Sequence, residues 1–170
     1  MSKGIAYVLE GLKESVSISS ILIASKLTNV KIDYKEANDL SFYIKNGSDK
    51  ISSNLSILRY LAEVAPSSSL YGNTLYHEAQ VNQYLDIFWN DLELPIYYNL
   101  TETDKYNFDV ILNVIEDVLT SNTYLVASNI TVADIYLYSI ITFGINKKVL
   151  DKSKYQSITR WYSTLEKVLA

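Results

Sequence analysis

Ile130-Thr131-Val132-Ala133-Asp134-Ile135 reads as the opening of a helix. Thr131 supplies an N-cap oxygen, and the Asp134 carboxylate three residues on can reach back to the cap N–H, while Ile130 and Ile135 take the staple positions that set how the chain comes in. The residues that follow are apolar nearly all round, from Val132 through Ile135, Leu137, Ile140, Ile141 and Phe143, so this helix is expected to be buried on every side. Other elements must surround it.

Outward from that helix, the second half of the chain reads as helices only. Thr74 is placed to cap a helix with the stripe Val81, Tyr84, Leu85, Phe88 and Leu92, expected to end before Pro95. Another starts near Asp104 and carries Phe108, Ile111, Leu112, Ile115, Val118 and Leu119 on one face. A last helix from about Ser153 turns Ile158, Trp161, Leu165 and Leu169 inward, which leaves Gln156, Arg160, Ser163 and Lys167 as an outward strip.

The first half has a different period. Ile5 to Leu9 reads as a short strand, and a helix from about Ser15 to Leu27 places Ile18, Ile21, Leu22 and Ser25 on one face. Val30 to Tyr34 alternates as a half-buried strand should, and Asn46-Gly47 suits the tight turn of a hairpin whose returning strand holds Ile51. Ser53 or Asn54 can cap the next helix, which buries Leu58, Leu61, Ala62 and Ala65. The loop residues Ala65-Pro66-Ser67-Ser68-Ser69 then mark a boundary. The division this implies is a lobe over 1–66, a linker over 67–73 and a helical lobe over 74–170.

Bulk properties narrow the function. A chain of 170 residues, 48% hydrophobic and 20% charged, can bury a sizeable core. A net charge of −4 leaves no cation excess for phosphates, so tRNA or an anionic membrane would be a poor partner for this segment by itself. With no cysteine, thiolate catalysis, disulfides and most zinc sites are excluded. The start Met1-Ser2-Lys3-Gly4 runs too soon into mixed sequence for a signal peptide, and no stretch of about 18 apolar residues occurs, so a cytoplasmic address is expected. His77 is the sole histidine, too few for a metal cluster or a Ser-His-acid triad, and is expected to be a partly exposed first-turn residue. Asp91 and Glu93 are expected to be solvated at a helix end. The five glycines form no phosphate loop.

Three segments in order resemble the glutathione-transferase family. They are Ile57-Leu58-Arg59-Tyr60-Leu61-Ala62 with Ala65-Pro66, then Tyr124-Leu125-Val126 followed by the Thr131 motif, then Tyr155 with Arg160-Trp161-Tyr162. The resemblance spans essentially the whole chain. It implies an α/β plus all-α class, with a shortened thioredoxin-like lobe followed by an all-helical lobe. Members that are enzymes activate a thiol through a hydroxyl near the end of the first strand, the place of Tyr7 here. They hold the tripeptide beside a cis-proline and an acid-Ser pair, and those positions are Phe42 and Ser53-Asn54 in this chain. A cis bond before Phe42 would cost about 2.5–4 kcal/mol. The resemblance therefore implies no catalysis and no cofactor, with Tyr7 a packed strand tyrosine.

Domains of this kind without a glutathione site occur in aminoacyl-tRNA synthetases, in the scaffold proteins of synthetase complexes and in elongation factor subunits. The likeness implies that the chain pairs with itself and with similar domains of synthetases through two surfaces. One is built on the helix of Arg160, with Gln156, Ser163 and Lys167 beside it; the other lies around Arg59. It further implies that tRNA is reached only through a separate basic domain beyond Ala170, and that this segment does not insert into membranes.

Overall fold

A computed structural model of the chain describes residues 7–37, 43–64, 69–98 and 102–169. Strand β1 (Tyr7–Gly11) pairs in parallel with β2 (Ile32–Glu36), joined by helix α1 (Val16–Thr28). On its other edge β1 takes the antiparallel β3 (Tyr43–Asn46), and β4 (Asp49–Ile51) closes the order β2-β1-β3-β4. Central position suits β1, where Leu9 is fully buried between Tyr34 and Ile44.

Two details of this lobe differ from expectation by a residue or two. Strand β2 begins at Ile32 rather than Val30 because α1 closes on Asn29 in the left-handed region (φ 54), and the Val30 N–H turns back to Ser25 O. That donor is then lost to the strand ladder. In the hairpin, Asn46 pairs with Asp49, so the turn is Gly47-Ser48 and Gly47 takes the positive φ (63). Helix α2 (Asn54–Val64) follows, capped weakly by Ser53, which accepts from Ser56 N at 3.4 Å. It buries Ile57, Leu58, Leu61 and Ala62. Ile5, Phe42, Ala65, Pro66 and the first two residues of the expected linker, 67 and 68, lie outside the described residues.

Helix α3 (Leu75–Ile87) is capped by Thr74, whose side chain accepts from His77 N. It does not stop ahead of Pro95. It widens into a π-helical stretch, Phe88–Glu93, and runs on into α4 (Leu94–Tyr97), which contains Pro95 two residues past the widened turn. Helix α5 (Glu102–Ser121) precedes the buried α6 (Val132–Asn146). The last helix, α7 (Gln156–Leu169), starts three residues later than expected, because Asp151 accepts from Ser153 N and Oγ and closes a 3-10 turn over Lys152–Lys154.

Helix α6 joins the lobes. It packs on α1 and α2 from one side and on α3 and the π-helical stretch from the other, which explains a helix with almost no solvent face. Among the described residues no helix is long and apolar enough to cross a membrane.

Candidate functional site

Tyr7 is the first described residue of β1 and not near its end as expected; it is buried, and its hydroxyl hydrogen-bonds the Tyr60 hydroxyl. The two rings meet edge to face at 5.8 Å. Burial, and then Tyr60, push the Tyr7 phenol up to about 12. It borders a cavity of about 200 Å³ with Ile44, Asp49, Ile51 and Tyr60. Tyr7 is therefore a packed strand tyrosine with its hydroxyl already partnered. The Ser53-Asn54 pair is occupied with structure: Ser53 caps α2, and Asn54 is buried, accepting from Ser20 Oγ at 3.4 Å. No cis peptide bond occurs among the described residues.

Glu93 overturns its expected placement. It is 1% exposed rather than solvated. In an α-helix the residue after Leu92 would be turned about 100° away from that stripe. A π-helix bonds each residue to the fifth one along and so turns less per residue than an α-helix, which brings Glu93 round below Phe88 onto the inner face. There Oε1 accepts from Ser17 Oγ at 3.2 Å and Oε2 accepts from the Tyr136 hydroxyl, linking α1, the π-helical stretch and α6. Burial pushes the carboxyl up to about 7 despite those two donors. Next to it, the Tyr97 hydroxyl accepts from Val16 N at 2.9 Å at the start of α1. Ser15, Ser17, Trp89, Glu93 and Tyr97 border a cavity of about 260 Å³ between the two lobes. A 3.6-residue period could not have shown Glu93 pointing inward.

The Thr131 motif forms as expected and does more than cap. Asp134 Oδ2 accepts from Thr131 N and Oγ1, each at 2.9 Å, and Oδ1 accepts from Leu125 N and Trp161 Nε1, each at 3.0 Å. One fully buried carboxyl thus ties α6 to α7 and to the preceding loop. Burial raises its pKa, and the four donors act in the opposite direction.

Of the residues expected at an interface, Gln156, Arg160 and Lys167 are exposed and Ser163 is half-buried, so the outward strip exists. Arg160 is not free for a partner alone. Its Nη2 donates to Leu119 O and, at 3.0 Å, to Asn122 O, closing the end of α5. Arg59 likewise bonds within the chain, from Nε to Asn82 Oδ1 at 2.6 Å and from Nη2 to Asp86 Oδ1 at 3.0 Å, bracing α2 against α3. His77 is partly exposed in the first turn of α3. Sequence reasoning missed Glu116, whose two carboxylate oxygens accept from Ser157 N and Ile158 N at 2.7 and 2.9 Å and cap α7 from a neighbouring helix.

Residues 99–167 match the family model of the glutathione S-transferase, C-terminal domain. That part of the helical lobe is similar to the family's C-terminal domain. The whole fold agrees: a glutathione transferase of Bombyx mori superposes with a TM-score of 0.85 at 19% identity, covering 96% of this chain and 88% of that one. By sequence the chain is similar to translation proteins. It is 27% identical over 126 residues to eukaryotic translation elongation factor 1 epsilon-1 of Cricetulus griseus, covering 71% of this chain and 66% of that protein. It is 27% identical over 152 residues to a probable cytoplasmic glutamate–tRNA ligase of Dictyostelium discoideum, covering 86% of this chain and 18% of the ligase. The glutathione-transferase-like fold here therefore spans just under two thirds of one relative and less than a fifth of the other.

Proposed function

We propose that the chain is a non-catalytic, glutathione-transferase-like interaction module that pairs with itself and with similar domains of aminoacyl-tRNA synthetases. The observation that carries this reading is sequence likeness to a translation factor and a tRNA ligase over most of the chain. The cleft supports it, since the Tyr7 hydroxyl is engaged by Tyr60 and an Asn stands where a Ser would follow an acid. The finer assignment is to a scaffold of a tRNA-binding assembly, with the tRNA-binding domain outside this chain. The abundance of tyrosine, asparagine, lysine and isoleucine resembles the amino-terminal domain of the apicomplexan (Plasmodium) tRNA import protein. A second reading, a structural subunit of the elongation factor 1 type, is favoured by the elongation factor match.

The pairing surface is assigned to α7, around Arg160, Gln156, Ser163 and Lys167. Sedimentation at tens of micromolar and calorimetry against the matching segment of a glutamate–tRNA ligase test it. Arg160→Ala is expected to weaken pairing by about 1–4 kcal/mol, as an interface hot spot does. Arg160→Lys can still reach the Leu119 and Asn122 carbonyls, so it should hold the end of α5 yet restore little pairing, because the planar guanidinium fork is lost. Unchanged affinity in both variants would reject this face. Retention on immobilised glutathione would reject the non-catalytic reading.

A further inference from the structure

The turn between α6 and α7 gathers a charge opposite to that of the whole chain. Lys147, Lys148, Lys152 and Lys154 are four of the 15 lysines and arginines of a chain whose net charge is −4. Three of them are exposed and Lys152 is half-buried. Among the described residues no carboxylate comes within ion-pair distance of any of the four. Asp151 stands between them, but its carboxylate accepts from Ser153 N and Oγ at 3.0 and 2.7 Å. The fold accounts for only part of this charge. Lys147 and Lys148 follow the C-terminal end of α6, whose partial negative charge favours cations. Lys152 and Lys154 precede the N-terminal end of α7, where the partial charge is positive and cations are unfavourable. The first turn of α7 has no acid of its own, and the one that caps it, Glu116, comes from α5. Lys152 Nζ lies 3.6 Å over the Tyr162 ring, which steadies it without neutralising it.

The backbone of the turn is fixed. Val149 N and Leu150 N both donate to Gly144 O, at 3.0 and 3.2 Å, and Lys148 takes the left-handed region (φ 60). Leu150 is buried against Gly144, where an added Cβ would come within 3.1 Å of the Leu150 Cβ. Tyr155 N then closes on Lys152 O at 3.0 Å. The cations are thus held as a surface, and in their midst Val149 is 45% exposed. We infer that this turn docks an acidic peptide segment of a partner protein, with carboxylates on the lysines and an apolar side chain against Val149. A nucleic acid fits less well. Four lysines less Asp151 leave three net charges, few for counterion release, and the rings beneath, Phe143 and Tyr162, are covered by Lys147 and Lys152 and offer bases no platform. The surface is separate from the α7 strip, because Lys152 lies on the flank where Tyr162 stacks on Tyr138, whereas Arg160 faces α5.

The test is fluorescence anisotropy of the 170-residue chain with a labelled peptide of glutamates around a central leucine. Saturable binding is expected, weakened at least about tenfold between about 50 and 300 mM salt. A peptide with serine in place of the leucine should bind about fivefold more weakly, for loss of the contact with Val149. Lys152→Glu with Lys154→Glu should weaken binding at least about tenfold. Acids there suit the dipole of α7, so this variant should fold. Lys45→Glu with Lys50→Glu, a reversal of the facing lysine pair on β3 and β4, should leave the affinity unchanged. No saturable binding, an equal loss in both variants, indifference to the leucine, or tighter binding of oligouridine or of phosphatidylserine vesicles would each overturn the site. Should the reversed variant fail to fold, Lys152→Gln with Lys154→Gln, set against the same change at Lys45 and Lys50, decides.

Discussion

Replacing Glu116 by Gln should weaken the docking of α7 on α5. The carboxylate uses both oxygens, Oε1 for Ser157 N and Oε2 for Ile158 N, so it satisfies two of the N–H groups that a helix leaves without partners at its start. A Gln keeps one acceptor and turns an NH₂ toward the other donor. Loss of an N-cap costs about 0.5–2 kcal/mol, and a charge near the positive end of a helix adds about 0.3–1 kcal/mol when partly exposed. Glu116 is partly exposed, so solvent softens the loss, and a total of about 1–2 kcal/mol at pH 7 is expected. For a chain of this length that lowers the Tm by roughly 2–4 °C for each kcal/mol.

The pH dependence gives the sharper test. Burial alone would raise the Glu116 carboxyl, but the donors from Ser157 and Ile158 outweigh it and hold the pKa below the ordinary 4.5. A depressed folded-state pKa contributes stability that is complete above the unfolded value and is lost as pH falls through the folded one. The gap between the natural chain and Glu116→Gln, read from urea midpoints, should therefore be constant from pH 7 to about 5 and shrink below pH 4.5. Asp117→Asn, an exposed neighbour, should change stability by no more than about 0.5 kcal/mol. No gap at pH 7, or one that persists undiminished to pH 3, would refute the capping argument.

Glu93 has the opposite sign. Its folded pKa of about 7 lies above the ordinary 4.5, so folding loses stability as pH rises from about 4.5 to 7. Glu93→Gln should stabilise the chain by up to ~3 kcal/mol at pH 8 and by little at pH 5, and equal urea midpoints at pH 8 would contradict the buried placement. Thr131→Ala should cost about 0.5–2 kcal/mol, since it removes one of the four donors on Asp134 as well as the cap. An unmoved denaturation midpoint would count against that cap.

The amino-acid sequence by itself determined the faces of the helices, the Thr131–Asp134 and Thr74 caps, and, to within two residues, the first two strands. Each of these depends on residues within a turn or two of one another, so the interacting groups are adjacent before the chain folds. Tertiary structure alone decided the rest. Arg160 reads as an outward residue by period, and it is exposed, yet it reaches carbonyls 41 and 38 residues away that exist as acceptors only because α5 ends beside α7. Glu116 caps a helix 41 residues on for the same reason. Glu93 reads as a helix-end acid, and one wide turn places it among Ser17 and Tyr136 between the lobes. Local periodicity assigns a side chain to a face, whereas its polar partner is chosen by whichever distant segment packs against that face.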